Sequence, residues 1–344
     1  MRMQPKYISP KQDLDHVLRH SNYYKSDFQN AEILIYGGTG FIGTWIIESL
    51  IYSSFELGLN LQITCVTRDR KNAESRFRGV LAKPLRFIEH DFSVAEFNLE
   101  LNADFVFHAA TPTRITTGSS NISSTFTAAI NAASHATSVK SRKFQKPRVL
   151  HLSSGAVYGV QPMDMCLRLE SDPVVNFISP YVSTKLGVDS ILEKATLEGK
   201  ITYQSPRLFA FSGPLLQLDA HFAIGNFLRD GLANQPICIN GNPETIRSYM
   251  YPADLVISLL SVATHEKYQN INIGSDVPIS MFHLAKLISR MTENSEVKLA
   301  DNYSEPTNYV PSITNLRSII REYQFTNIED SLHNWINWLK SRNH

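Results

Sequence analysis

A chain of 344 residues is longer than one compact core needs, so a large domain with a smaller appended one is expected. Hydrophobic residues at 43% and charged residues at 19% are the mix of a globular protein, which excludes a disordered chain. A formal net charge of +1 supplies no broad cationic surface, so no nucleic-acid partner is expected.

In chain order, Ser9 reads as the N-cap and Pro10 as the first residue of a short helix over 9–20, with Leu14, Val17 and Leu18 on its apolar face. A polar, aromatic connector, "NYYKSDFQN", follows. "AEILIYGG" is the first strand, an apolar run too continuous for a half-exposed position and suited to a parallel sheet covered on both faces. "FIGTWIIESLIYSSFEL" is helical, and "LQITCVTR", "LRFIEHD" and "ADFVFHAAT" are strands. "SSTFTAAINAASHATSV" is a helix, "RVLHLSS" a strand, "YVSTKLGVDSILEKATLEG" a helix, and "ITYQSPRLFAF" begins with a strand. This βαβα order predicts an α/β fold with a doubly wound parallel sheet. After Gly213-Pro214 the pattern loosens. The expected division is an arm over 1–30, a large domain over 31–214 and a smaller α/β domain over 215–344, with some interleaving.

Cys65, Cys166 and Cys238 form no CxxC pair, which fits a reducing compartment and gives no metal site. Lys6, Lys11, Asp13, Asp15 and Arg19 break any signal-peptide core near the start, and no apolar run approaches the ~18–20 residues of a membrane span. A cytoplasmic protein without a membrane partner is expected. The basic run Lys140, Arg142, Lys143, Lys146 and Arg148 reads as the solvated end of a helix, where cations suit the dipole.

"ILIYGGTGFIG" places Gly37, Gly38, Gly40 and Gly43 between a buried strand and a helix. Glycine allows the tight turn and brings backbone N–H groups to a pyrophosphate, while the helix N-terminus favours its charge. The fold expected from this context is a Rossmann-type doubly wound sheet binding NAD or NADP. The next strand ends in Thr67 and Arg68, with Arg70 and Lys71 nearby, where an acidic residue would grip a free ribose 2′-hydroxyl. An arginine there accommodates a 2′-phosphate, so the residues lean toward NADP. The alternative leaves Arg68 at the surface and turns Asp69 in to the ribose.

"SPYVSTKLG" sets Tyr181 and Lys185 four residues apart, one turn along a helix face. A phenol titrates near 10 and moves a proton at neutral pH only if its anion is stabilised, which an adjacent ammonium does. "LHLSSGAVYG" adds hydroxyls at a strand end.

With "GGTGFIG", "HD" (His90-Asp91), "FHAAT", "LSSGAVYG", "YVSTK", "PRLFAFSGP" and "RSYMYPADL" in this order, the chain resembles the extended short-chain dehydrogenase/reductase family, in its NAD-dependent epimerase/dehydratase, nucleotide-sugar branch. The resemblance implies that Gly37, Gly40, Phe41, Ile42 and Gly43 face the dinucleotide phosphates. Asp91, with Phe92 beside it, would bond the adenine amino group, and Ala109 and Ala110 would line the cofactor floor. Ser154 would bond the reacting sugar oxygen, Tyr181 would be the acid/base, and Lys185 would hold the nicotinamide ribose and keep the phenol's pKa low. Arg247 would clamp a diphosphate; the alternative is a surface ion pair with Asp254. The resemblance also implies a substrate-binding role for the C-terminal domain, and a homodimer through the Tyr181 helix and the helix starting near Ser123.

The departures are specific. The family's dehydratases carry Asp-Glu, and its decarboxylases a Glu at the second position, where this chain has Gly155-Ala156. A 4,6-dehydratase is therefore disfavoured. Ala210 replaces the family's substrate-contacting Asn, and Ala128-Ala129 stands where an Asn-Val pair is common, with Asn131 three residues on. His108 and His151, both within strands, read as satisfied core histidines. The expectation is metal-free hydride transfer at a sugar carbon, at C4, with a 4-keto reductase preferred over a 4-epimerase. A reductase of non-nucleotide ketones and a non-catalytic dinucleotide-binding protein are the alternatives.

Overall fold

The computed structural model describes residues 6–80, 84–94, 97–111, 119–165, 167–175, 179–220, 222–293 and 295–342, so Cys166 lies outside the described residues. The chain enters through α1 (Lys11–Arg19) and α2 (Lys25–Phe28). It then alternates through β1 (Glu32–Tyr36), α3 (Phe41–Leu57), β2 (Gln62–Thr67), α4 (Arg70–Arg76), β3 (Leu85–Glu89), β4 (Phe105–His108), α5 (Ser119–Ala136), β5 (Arg148–His151), β6 (Ser153–Ser154), α6 (Pro180–Leu197) and β7 (Thr202–Leu208). The rest comprises β8 (Ala210–Phe211), α7 (Ala223–Leu232), β9 (Ile237–Ile239), β10 (Ile246–Arg247), β11 (Tyr249–Met250), α8 (Pro252–Ala263), β12 (Asn270–Ile273), β13 (Ile279–Ser280), α9 (Met281–Met291), β14 (Val297–Leu299), β15 (Asn308–Tyr309), α10 (Thr314–Ile319) and α11 (Ile328–Arg342).

These elements form two compact units. The first comprises Met1–Val157, Val174–Arg207 and Val256–Ile271; the second comprises Tyr158–Pro173, Leu208–Leu255 and Asn272–His344. The main sheet runs β3-β2-β1-β4-β5-β7-β12. Its pairings from β3 through β7 are parallel. The strand order reverses direction between β1 and β4, and that switch point is where ligands enter such sheets. β1 is buried from Ile33 to Tyr36 because both of its faces are covered. In the second unit, α7, β9, α9 and α11 close a separate core around Phe227, Leu284, Ile288, Leu332 and Trp335.

Several local expectations change. Ser9 does not cap α1: Pro10 holds the cap position without a side-chain bond, and the Ser9 N–H donates instead to Glu48 Oε2 at 2.7 Å. The connector "NYYKSDFQN" contains a helical turn at Ser21–Tyr23 and then α2, because Tyr24 and Phe28 are buried against the sheet layer. The basic run lies beyond the end of α5 and serves a different helix. Lys143 Nζ donates to the carbonyls of Asp27 and Gln29, each at 2.6 Å, at the C-terminus of α2, and Arg148 pairs with Asp27 at 2.5 Å. α5 begins at Ser119, four residues before the expected start.

Candidate active site

β1 delivers the glycine loop to the switch point. Gly37 has φ +79°, and a Cβ there would lie 2.7 Å from the Ala109 carbonyl oxygen. A Cβ on Gly43 would lie 2.4 Å from the Gly37 oxygen and 2.6 Å from Gly38 Cα, so α3 approaches the loop as closely as backbone permits. Gly40 differs: its nearest neighbour to an added Cβ is 3.5 Å away. It starts α3 with no side chain capping the first turn. An uncapped helix N-terminus behind a bare glycine cradle fits a dinucleotide pyrophosphate. Phe41 and Ile42 occupy that first turn. Behind the loop, the Ala109 N–H donates to the Tyr36 carbonyl at 2.9 Å, which places Ala109 and Ala110 beside Gly37.

At the end of β2, the Asp69 carboxylate accepts from the Asn72 N–H at 2.8 Å and caps α4. Arg70 is held by Glu74. Arg68 is exposed; burial raises the Asp91 carboxyl, but its bonds from Ser93, helped by the charge of Arg68, hold it below its usual range. Asp91 itself accepts from the Ser93 N–H at 2.8 Å and the Ser93 hydroxyl at 2.7 Å. Asn131 of α5, read only as a displaced residue in the sequence, donates to the Phe92 carbonyl at 2.8 Å and pins this turn.

Ser154 ends β6, and Gly155–Tyr158 form a 3₁₀ turn directly after it. The Ala156 N–H donates to Ser154 Oγ at 3.2 Å, so the hydroxyl caps the turn and is aimed by it. The two positions without acid/base chemistry thus have a geometric task. The Ser154 hydroxyl hydrogen-bonds the Tyr181 phenol. α6 brings Tyr181 there: Ser179 caps the helix by accepting from the Val182 N–H at 3.3 Å, and Pro180 opens it. Lys185 Nζ lies 5.7 Å from the Tyr181 ring centroid and donates to the Leu152 carbonyl at 2.5 Å. Burial drives the Lys185 pKa down to about 7, with Asp189 one turn on opposing the fall. Burial also raises the Tyr181 phenol, and the Ser154 hydroxyl pulls it back. Lys185 is over the ring face, so the depressed phenol pKa expected from the sequence is not a property of the chain by itself.

The histidine reading needs one correction. His108 and His151 are fully buried, and His108 Nε2 meets the Ala129 carbonyl at 3.0 Å. His151, however, is not satisfied: its Nε2 has no hydrogen-bond partner among the described residues.

In the second unit, Arg247 donates from Nη1 to the Ile246 and Thr307 carbonyls at 2.8 and 3.0 Å, and from Nη2 to Thr307 Oγ1 at 3.2 Å. Among the described residues this leaves the Nε–H and one Nη2–H, the paired edge of the guanidinium that suits two phosphate oxygens. The Asp254 carboxylate is buried and accepts from Tyr323 and Thr326, with its pKa pushed up to about 6 by burial. It lies in the interior and not at the surface.

Residues 33–274 match the sequence model of the NAD dependent epimerase/dehydratase family. Among curated proteins, the chain is 22% identical to UDP-glucuronic acid decarboxylase 6 of Arabidopsis thaliana, over 88% of this chain and 86% of that one. It is 21% identical to UDP-glucuronic acid decarboxylase 1 of Xenopus tropicalis, over 92% and 74%. Among solved structures, UDP-glucuronic acid 4-epimerase from Bacillus cereus in complex with UDP-glucuronic acid and NAD superposes with a TM-score of 0.73 at 20% identity, covering 90% of this chain and 99% of that one. An NAD dependent NDP-hexosamine 5,6-dehydratase gives 0.72 at 20% identity, over 91% and 98%. At these identities the structural likeness establishes the Rossmann-type fold. No described helix is long and apolar enough to cross a membrane.

Proposed function

Because the chain belongs to the NAD-dependent epimerase/dehydratase family, we propose that it moves hydride at a sugar carbon, C4, of a nucleotide sugar, as a 4-keto reductase in preference to a 4-epimerase. The observation that carries this reading is the Ser154–Tyr181–Lys185 group beside Gly155-Ala156, which has no carboxylate for a second acid/base step. The curated relatives are decarboxylases by name. Ala156 gives this chain no acid at the position where such enzymes carry Glu, so the proposal departs from them there.

A reduced nicotinamide dinucleotide, held by the glycine loop and Lys185, would supply the hydride for the carbonyl carbon and be oxidised in doing so. Tyr181 gives its phenolic proton to the carbonyl oxygen, and ketone, hydride and proton together make the alcohol. Ser154, aimed by the Ala156 N–H, donates to the same oxygen and aligns it. The phenolate left on Tyr181 is stabilised by the Lys185 ammonium over its ring. Lys185 also holds the nicotinamide ribose with the donors that Leu152 does not use. Gly37, Gly40, Phe41, Ile42 and Gly43 receive the pyrophosphate, Ala109 and Ala110 the floor, and Asp91 with Phe92 the adenine. Arg247 takes the sugar nucleotide's diphosphate through its remaining edge.

The preference for a reductase rests on Arg68. Its side chain is exposed while Asp69 is engaged as a helix cap, which supports a 2′-phosphate at the adenine ribose and a cofactor exchanged each turnover. A homodimer through α5 and α6 belongs to the same reading and is supported by Phe126, which is 40% exposed on α5. The test is to denature the purified protein and identify any released dinucleotide by mass spectrometry. An empty site that then binds NADPH more tightly than NADH supports the reductase. Retained NAD or NADH moves the assignment to an epimerase that closes its hydride cycle internally.

A further inference from the structure

The N-terminal arm has no role in the chemistry above, and it lies ahead of residue 33, where the family's sequence model begins to match. A surface helix keeps a polar face in water. α3 does not: it is buried at every residue from Gly43 to Ser53. The arm supplies part of that cover. Leu14 and Val17 of α1 are fully buried, the Tyr7 ring meets the Tyr52 ring edge-on at 5.3 Å, and Tyr24 Oη shares a hydrogen bond with Ser53 Oγ at 3.1 Å.

The arm is fastened at two places, and both lead to the glycine loop. At the first, the Ile8 and Ser9 N–H groups donate to Glu48 Oε1 and Oε2 at 2.8 and 2.7 Å. Glu48 stands one turn beyond Thr44 on α3, and Thr44 one turn beyond Gly40. At the second, the Lys6 N–H donates to the Gly79 carbonyl at 2.9 Å. A Cβ on Gly79 would lie 2.0 Å from the Lys6 carbonyl oxygen, so the two backbones are in close contact. Gly79 follows directly on Arg76, the last residue of α4, and Arg78.

Arg76 joins the two fastenings. Its Nε donates to Thr44 Oγ1 at 3.0 Å, and Thr44 Oγ1 donates in turn to the Gly40 carbonyl at 2.7 Å. The Thr44 N–H donates to the same Gly40 oxygen at 2.9 Å. A hydroxyl has one proton to give, and accepting from Arg76 commits that proton to Gly40. The peptide that opens α3 is thereby fixed, and with it the first turn that the proposed cradle offers to a pyrophosphate.

We propose that the N-terminal arm braces the glycine loop, with Glu48 and Arg76 as positioning residues for dinucleotide binding. The arm holds α3 and the end of α4 at one spacing, and Arg76 passes that spacing to Gly40 through Thr44. Docking of the arm and binding of the dinucleotide then share free energy: whatever affinity the arm adds, the dinucleotide returns as tighter docking of the arm. The inference rests on the glycine loop as a cofactor cradle, and not on the sugar or the direction of the reaction.

The test is amide hydrogen exchange of the full wild-type chain with and without saturating NADH. Exchange at Lys6, Ile8 and Ser9 is expected to slow about tenfold, while the last turn of α11, a helix end that opens locally, is unchanged. Arm amides that exchange equally fast in both states, or that slow only as much as the end of α11, overturn the proposal. Calorimetric titration supplies the reciprocal measurement. Arg76→Met, a change at an exposed residue, is expected to weaken NADH and NADPH binding alike by about tenfold. Gly79→Ala, whose Cβ would push Lys6 away, is expected to weaken both in the same direction. Unchanged affinity in either variant overturns the brace, and loss of NADPH affinity alone would make Arg76 a ligand of the 2′-phosphate instead. The wild-type exchange experiment stands even if a variant fails to fold. A wild type that binds neither dinucleotide removes the cofactor reading and the brace with it, whereas binding without protection of the arm removes the brace alone.

Discussion

Lys185 Nζ sits 2.5 Å from the carbonyl oxygen of Leu152, two residues before Ser154. This bond ties the α6 ammonium to the strand end that supplies the site's hydroxyl, at the expense of burying a cation. The Lys185 pKa falls to about 7 from an ordinary value near 10.5. Below pH 7 the amine is charged in both folded and unfolded chains, and the folded chain carries the whole desolvation cost. Between about 7 and 10.5 the folded protein holds fewer protons, so stability rises with pH; above that range the cost is gone. Lys185→Met is thus expected to be more stable than the wild type near pH 6.5, by on the order of a few kcal/mol. The gain should shrink toward pH 10. Equal melting temperatures at pH 6.5, in dinucleotide-free protein, would count against this.

Removal of the phenol tests the site from the other side. Tyr181→Phe keeps the ring under Lys185 and loses only the proton and the bond to Ser154. Turnover of a nucleotide-sugar ketone is expected to fall about 10²–10⁴-fold, the usual worth of a positioned acid/base, with dinucleotide affinity unchanged. Turnover equal to that of the wild type would remove Tyr181 from the mechanism.

Legibility from sequence divides along physical lines. The strand–glycine–helix unit was readable because burial on two faces forces the continuous run of β1, and close backbone approach forces glycine at positions 37 and 43. α3 was readable to its last residue, since Gly58, in the left-handed region at φ +65°, marks its end. The role of Gly155-Ala156 was half readable: the missing carboxylates were visible, but the N–H that Ala156 turns back onto Ser154 depends on backbone geometry that no side chain encodes. His151 was misread because the sequence shows that a histidine is in a strand but not which of its nitrogens finds a partner. Asp189 carried a signal that went unused, a carboxylate four residues beyond Lys185 on the same helix face.

The glycine loop makes a prediction with a built-in control. At Gly43 an added Cβ would strike the Gly37 carbonyl and Gly38 Cα, which are backbone and cannot swing away. Gly43→Ala should push α3 off the loop and weaken dinucleotide binding about 100-fold, about 2.7 kcal/mol. Gly58→Ala meets nothing within 4 Å and strains only its own backbone. It should cost about 1 kcal/mol of stability and leave binding unchanged. Calorimetric titration with NADH and NADPH checks both, and equal affinities for the two variants would refute the packing argument.

The N-terminal arm is held by a carboxylate within the apolar helix α3. Glu48 of α3 is fully buried, and its two carboxylate oxygens accept from the Ile8 and Ser9 N–H groups at 2.8 and 2.7 Å. Burial raises its pKa above the usual carboxylate value, with those N–H groups opposing the rise. The unfolded chain therefore ionises first as pH increases, and this site's contribution to stability falls from about pH 4.5 upward until the folded carboxyl has ionised. Glu48→Gln retains one acceptor and turns an amide donor toward the other N–H, leaving a buried group unpaired at a cost of about 1–3 kcal/mol. The expected result is a lower melting temperature at pH 7 together with faster hydrogen exchange at Ile8 and Ser9, while amides of β1 and β4 stay protected. Unchanged exchange at Ile8 and Ser9 would mean that the arm is anchored by its other contacts, such as the Lys6 N–H donating to the Gly79 carbonyl at 2.9 Å, and that Glu48 is not its clamp.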